Sequence, residues 1–386
     1  MLALTNRPWE PGKTLGEVME SRGVSRREFL AFCAEMGAIL GLGSLAGPRV
    51  AEALQAVQKP TVIWLQLQEC TGCVESVIRT AEPTIGDFVL DLVSLDYQHT
   101  LMAAAGHAAE EARAASIERN RGNYILVVTG SIPRAEGGIY TTIGGRTCED
   151  ILVEAAAGAS HVVAVGACAH WGSVQAARPN PTGAVGVDQI VRDKPVVNIA
   201  GCPPIADVVT ATLIHVLTFG RVPDLDRYGR PKFAYGALIH DQCPRRGNFD
   251  AGQFVESFDD EGARKGWCLY NVGCKGPATF SPCPIFLWNT RTSWPIGAGH
   301  PCIGCTEPYF WDTMTPFYER LPNIPGAGAG SSIDTIGAAL AAGATAGVLA
   351  HAAATGINEY RRKRSLPIIN NPPGGGQHGP GNQGRN

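Results

Sequence analysis

The chain has 386 residues, of which 45% are apolar and 17% charged, and a net charge of −3. That length allows two domains and a sizeable core, while the small net charge argues against nucleic acid or any other polyanion as a partner. Twelve cysteines demand an explanation, and disulfides, zinc and iron–sulfur clusters are the three candidates.

The N-terminus speaks first to compartment. Ser25-Arg26-Arg27-Glu28-Phe29-Leu30 is a twin-arginine pattern, followed by a modestly apolar run and the small-residue stretch Ala51-Glu52-Ala53. Residues 1–53 therefore read as a removable export signal, with an amphipathic N-terminal helix as the alternative. The twin-arginine route carries proteins already folded. It suits cofactors inserted in the cytoplasm and weakens the disulfide explanation.

Strand-like and helix-like runs then alternate. Thr61–Leu67, Phe88–Leu95, Tyr124–Thr129, His161–Gly166 and Pro195–Ala200 are apolar, β-branched runs, and helices are expected between them, as at Ile151–Ala157 and Asp207–Phe219. Continuous apolar strands alternating with helices specify a parallel sheet covered on both faces. The expected fold class is α/β, a flavodoxin-like doubly wound domain over 60–225. From 226 to 325 the texture changes to dense Gly, Pro, Cys and Trp without long periodic helices. Such a segment needs a metal or disulfide staple, and an irregular iron–sulfur-cluster domain is expected there.

Thr335–Ile357 carries no formal charge over 23 residues. As a helix it measures about 35 Å, enough to span a bilayer. Gly343 and Gly347 form a GxxxG pattern that allows close approach of another helix. Arg361-Arg362-Lys363-Arg364 follows, which places the tail in the cytoplasm. A C-terminal transmembrane helix over 335–357 is the expectation, and a soluble Ala-rich helix the alternative. Residues 358–386 are expected to form a disordered basic and polar tail.

The cysteines sort into sets. Cys70, Cys73, Cys168 and Cys202 each lie just past the C-terminal end of an expected strand, where ligands bind in open α/β sheets. His240, Cys243, Cys268 and Cys274 form a second set, and Cys283, Cys302 and Cys305 a third. Zinc suits a Cys3His set but explains three cysteines poorly. A cluster lacking one iron suits three thiolates, and a series of iron–sulfur clusters would use all three sets. Cys33 would leave with the signal, and Cys148 reads most simply as a buried apolar residue.

With these residues in view, the chain resembles the small subunit of a membrane-bound nickel–iron hydrogenase. The resemblance runs from about 60 to 320. It rests on the CTGC loop at 70–73, AVGACAHWGSVQAA (164–177), AGCPP (200–204), HDQCPRRGNFDAGQF (240–254), CLYNVGCKGP (268–277) and GHPCIGCTEPYFWD (299–312). It implies two 4Fe–4S clusters and one 3Fe–4S cluster. Cys70, Cys73, Cys168 and Cys202 would hold the proximal 4Fe–4S cluster. Cys283, Cys302 and Cys305 would hold the medial 3Fe–4S cluster. His240, Cys243, Cys268 and Cys274 would hold the distal 4Fe–4S cluster. The implied role is electron transfer in a periplasm-facing uptake hydrogenase whose nickel–iron site lies in a partner large subunit. A membrane cytochrome b feeding quinone would be the next acceptor, and a dimer of heterodimers the assembly. Oxygen-tolerant members of the family carry extra cysteines at positions that match Gly72 and Ser173, so a standard proximal cluster is expected. Pro295, between Cys283 and Cys302, supports a three-iron medial centre.

A membrane-tethered multi-cluster carrier with no catalytic partner is the competing reading. Glu75 and Glu136 read as solvated carboxylates and Arg245-Arg246 as a surface pair or a docking patch. His351 could meet a haem-bearing partner or snorkel to the membrane surface.

Overall fold

A computed structural model describes Glu17, residues 25–41, Gly47, Pro48, Val50, Ala51 and residues 59–81, 83–321 and 333–364. Glu52 and Ala53 of the expected cleavage site, and tail residues 365–386, lie outside the described residues. Residues through Leu321 belong to one compact unit and those from Pro322 onward to a second.

In chain order the main elements are α1 (Arg26–Ile39), β1 (Thr61–Gln66), α2 (Gly72–Ile78), β2 (Ser94–Tyr97) and α3 (His107–Arg119). Then come β3 (Tyr124–Thr129), α4 (Cys148–Gly158), β4 (Ala159–Val165), α5 (Ala167–Trp171), β5 (Val196–Ile199), α6 (Ala206–Phe219) and α7 (Ile333–Arg364). The five strands form one sheet in the order β2-β1-β3-β4-β5, and every pairing is parallel. This is the flavodoxin-like doubly wound order, with its switch point between β1 and β3. Strand alternation explains the two faces. Val62 and Trp64 join the apolar cluster under α6, whereas Ile63 and Leu65 join the one under α3 and α4. Cys148 sits fully buried in that second cluster. It opens α4 behind the cap Thr147, whose side chain accepts from the Asp150 amide, with Glu149 and Asp150 in the positive first turn.

One expected strand is corrected. Residues 88–92 of the Phe88–Leu95 run continue a helix that begins at Ile85, and the strand begins at Ser94. A capping box decides this. The Asp87 carboxylate accepts from the Thr84 amide while the Thr84 hydroxyl accepts from the Asp87 amide. The apolar run then has helical spacing, with Phe88 and Leu92 buried one turn apart.

Beyond residue 225 only helices of three to five residues and isolated bridges occur before Leu321. Buried Tyr235, Ile239, Trp294, Ile296 and Phe310 nevertheless join the same apolar cluster as the sheet. Arg230, 2% exposed, knots this segment together. Its guanidinium reaches Asp226 at 2.8 Å, Glu307 at 3.1 Å and the Thr306 carbonyl at 2.8 Å. Glu307 also accepts from the Phe280 amide at 2.7 Å.

Helix α7, in the second unit, has 32 residues and four basic residues in its last turn. Its stretch Ala339–Arg364 is long and apolar enough to cross a membrane, with a mean hydropathy of 1.4 over an 18-residue window. Asn358–Arg364, expected in the tail, is therefore helical. Cations there complement the negative end of the helix.

Arg230→Ala should destabilise the protein by about 3–5 kcal/mol, because it leaves the buried Glu307 carboxylate unpaired. A fall in thermal midpoint, partly recovered by Arg230→Lys, checks this.

Candidate metal centre

Chain topology brings the first cysteine set to one end of the sheet. Cys70 and Cys73 follow β1, Cys168 follows β4 and Cys202 follows β5. The loops after β4 and β5 are laced together by Gly166 N–H to the Ile199 carbonyl at 2.8 Å and Ala167 N–H to the Gly201 carbonyl at 2.7 Å. Thr71, with φ of 67°, turns the chain into α2 so that Cys73 lies in its first turn. Gly166 has φ of 95°, and a Cβ there would lie 2.3 Å from the Cys73 sulfur. Only glycine lets these two loops meet. The Cys73 thiol then stands within electrostatic reach of the Glu69 carboxyl and of Cys168, Cys202 and Cys70.

The third set surrounds a cavity of about 220 Å3 lined by Cys283, Cys302, Cys305, Pro295 and also Cys202. Donors converge on its sulfurs. The Gly304 amide donates to Cys302 Sγ at 3.3 Å, and Ser281 Oγ lies 3.1 Å from Cys283 Sγ. The buried Trp288 indole N–H meets no other partner and faces the Cys283 thiol.

The second set is more open. Cys268 lies within electrostatic reach of Cys274 and Cys243. The Gly276 amide reaches Cys274 Sγ at 3.5 Å. His240 packs its ring edge-on to Phe249, with centroids 4.5 Å apart. A Cβ on Gly276 would meet both Cys274 Sγ, at 3.4 Å, and the His240 backbone nitrogen, at 3.9 Å, so His240 borders this set through its backbone.

The three sets form a file. The Cys202 backbone amide points at the Cys305 thiol, linking the first set to the third. At the other side Cys302 lies within reach of Cys274, and the Lys275 amide donates to the Cys302 carbonyl at 2.8 Å. Thus the third set in sequence is the middle set in space.

Burial sets the electrostatics. It pushes the Cys168 thiol up to about 12 and the Cys268 thiol up to about 11, and it lifts Cys73 and Cys302 well above the ordinary thiol value. Neighbouring cysteines add to this at Cys73 and Cys302. Such sulfurs become thiolates readily only against a bound cation. Among the described residues, no three His, Cys, Asp or Glu side chains converge tightly enough for a single metal ion. A cuboidal cluster spreads its thiolates over several irons, and soft sulfur donors with N–H or O–H groups aimed at them fit such a cluster.

Gly72 and Ser173 both stand at the first set. A Cβ on Gly72 would lie 3.2 Å from Cys70 Sγ. Ser173 is fully buried with its hydroxyl between Cys168 and Cys202. Glu75 is exposed and pairs with Arg79 at 3.8 Å. Arg246 pairs with Asp241 and Asp250 on the surface, whereas Arg245 holds the Trp267 carbonyl at 2.9 Å.

Sequence reasoning missed Glu69. Burial raises its carboxyl, which Gln66 and Thr129 hold by hydrogen bonds of 3.0 and 2.9 Å while Oε2 stays unpaired. Its place between a buried strand end and Cys70 was the available signal. A cavity of about 780 Å3 contains none of the cysteines and is lined by Glu110, Arg113, Arg146 and Glu154.

Gly166→Ala should lower the iron content of the purified complex, because its methyl group displaces the Cys73 sulfur. Gly145→Ala, which meets nothing within 4 Å, should leave iron unchanged. Equal iron in both variants would contradict the loop geometry.

Comparison with known proteins assigns the chain to a family. Residues 235–318 match the C-terminal family of the NiFe/NiFeSe hydrogenase small subunit, and residues 70–216 match the NADH ubiquinone oxidoreductase 20 Kd subunit family. The chain is 51% identical to the uptake hydrogenase small subunit of Azotobacter vinelandii over 355 residues, 92% of this chain and 99% of that protein. It is 46% identical to the hydrogenase-1 small chain of Escherichia coli K12 over 371 residues, 96% and 98% of the two chains. A chain of the Desulfomicrobium baculatum [NiFeSe]-hydrogenase superposes with a TM-score of 0.64 at 35% identity, covering 68% of this chain and 99% of that one. The chain belongs to the small-subunit family of nickel–iron uptake hydrogenases, which work as heterodimers with a large catalytic subunit.

Proposed function

We propose that this chain carries electrons from hydrogen oxidation in the large subunit, through three iron–sulfur clusters, to a membrane cytochrome b and quinone. The file of three thiol sets, with Cys202 beside Cys305 and Cys302 beside Cys274, is the observation that supports it most. Iron–sulfur clusters, when bound, supply one-electron redox chemistry.

The residues divide the work. Cys70, Cys73, Cys168 and Cys202 would hold the proximal 4Fe–4S cluster, with the exposed Cys70 turned to the large subunit. Cys283, Cys302 and Cys305 would hold a medial 3Fe–4S cluster, since Pro295 lines the same cavity and offers no fourth thiolate. His240, Cys243, Cys268 and Cys274 would hold the distal 4Fe–4S cluster. A neutral imidazole in place of an anionic thiolate raises a cluster's potential, as in Rieske centres. Amides of Gly304 and Gly276 stabilise negative charge on sulfur, and Trp288 and Trp294 keep water from the middle set. Gly72 and Ser173 supply no thiolate, so the proximal cluster is of the standard kind.

In this reading residues 60–225 form the flavodoxin-like domain and 226–325 the medial and distal cluster domain. Residues 1–53 direct twin-arginine export to the periplasmic side. Helix α7 anchors the protein with its basic end in the cytoplasm, in a dimer of heterodimers.

Complex extracted from membranes should contain about 11 iron and about 12 acid-labile sulfide for this chain. The co-purifying large subunit should carry nickel. Zinc without sulfide would overturn the relay. Clusters without nickel or a large subunit would leave a lone electron carrier.

A further inference from the structure

We propose that Trp288 sets the reduction potential of the middle centre by donating its indole N–H to the Cys283 sulfur, with Arg291 and Asp207 as the residues that position it. This rests on reading Cys283, Cys302 and Cys305 as the ligands of a cluster.

Trp288 lines the same cavity as the three cysteines. Its indole N–H is buried and finds no hydrogen-bond partner at ordinary distance among the described residues, yet it faces the Cys283 thiol. A buried donor left unpaired is costly, so the site implies an acceptor stronger than a bare thiol. A neutral thiol accepts weakly, whereas an ionised acceptor makes the stronger kind of hydrogen bond. The donor is therefore satisfied when the buried Cys283 is a thiolate ligand. Ser281 Oγ stands 3.1 Å from the same sulfur, but a hydroxyl can turn either its proton or a lone pair toward it. The indole can only donate.

A strained turn holds the indole in place. Leu287, Asn289, Thr290 and Arg291 all have positive φ, between 51° and 59°. That is left-handed backbone without glycine, and Thr290 is β-branched. Such a turn persists only where its surroundings over-determine it. The Trp288 amide donates to the Ser293 carbonyl at 2.7 Å, and the Thr290 amide to the Arg79 carbonyl, just past α2, at 3.1 Å. The Arg291 guanidinium reaches Asp207 of α6 at 3.2 Å. Asp207 is itself buried and accepts from the Thr80 hydroxyl at 3.2 Å and the Ala81 amide at 3.3 Å. Glu35 of α1 meets the same guanidinium at 2.5 Å. The indole thus takes its place from α6 and the end of α2, as well as from the loop that bears Cys283.

One added electron makes the sulfurs of a cluster more negative, and a fixed N–H donor stabilises that state more than the oxidised one. Trp288 therefore raises the potential. No bond to the protein forms or breaks as the electron arrives from the side of the first set and leaves toward the second.

The test is an EPR redox titration of intact complex extracted from membranes, following the signal of the oxidised three-iron centre, with iron content measured for each variant. Trp288→Phe keeps an aromatic ring and loses the N–H. It should lower the equilibrium constant for one-electron reduction about tenfold, a fall in midpoint of about 59 mV. Asp207→Asn separates positioning from charge. Loss of a negative charge alone would raise the midpoint, whereas a loosened Trp288 lowers it, by less than Trp288→Phe does. Pulsed EPR on complex with isotopically labelled indole nitrogen should show a coupling in the native protein that Trp288→Phe loses. An unshifted midpoint in Trp288→Phe with native iron content overturns the proposal. So does a shifted midpoint where the native protein shows no such coupling, since entry of water then accounts for the shift. A midpoint that is raised or unchanged in Asp207→Asn overturns the positioning role, and it decides the case should Trp288→Phe lose iron. Native complex that holds iron and sulfide but gives no three-iron signal overturns the cluster reading itself.

Discussion

Sulfur held away from water is the constraint on which the rest of the molecule depends. Burial raises the thiols at Cys73, Cys168, Cys283, Cys302 and Cys305, so an anionic sulfur there needs compensation. The protein supplies part of it through amides and hydroxyls aimed at sulfur, as from Gly304, Ser281 and Trp288. A bound cationic cluster core would supply the remainder. The same burial that makes free thiolates unfavourable shields a redox centre from water, so the fold's cost and its use share one cause.

The sheet and the irregular segment divide this task differently. The sheet fixes the first set through strand ends, because β1, β4 and β5 all run the same way and deliver their loops to one edge. Glycine at 166 then permits contact that any side chain would block. The segment after residue 225 has no such frame. Buried polar knots replace it, chiefly Arg230 with Asp226 and Glu307, and Lys275 with the carbonyls of Pro316 and Glu319. These hold the loops that carry Cys283, Cys302 and Cys305. Breaking one should therefore disturb the middle set before it disturbs the sheet.

Much of this was legible in the residues. Apolar runs gave four of the five strands nearly to their ends, since fully buried parallel strands show continuous apolar sequence. The run at 88–95 misled because a capping box at Thr84 and Asp87 outweighs β-branched composition. The grouping of cysteines was visible from spacing and resemblance. Their spatial order was not, because Cys283, Cys302 and Cys305 come last in the chain yet stand between the other two sets. The Arg230 knot was invisible, since a lone arginine carries no spacing signal, and Glu69 showed only in its place between a strand end and Cys70. The packing of α1 falls in the same class, since its sequence reads as an export signal and not as a core element.

The proposed relay turns on the order of the file, with the Cys283, Cys302 and Cys305 set in the middle. Cys302→Ser tests that order when two activities of the intact complex are compared. Hydrogen–deuterium exchange reports the large subunit alone, whereas hydrogen-driven reduction of a large dye at the distal end requires the whole file. Exchange should persist while dye reduction falls at least about tenfold. Dye reduction that stays in proportion to exchange would contradict the order.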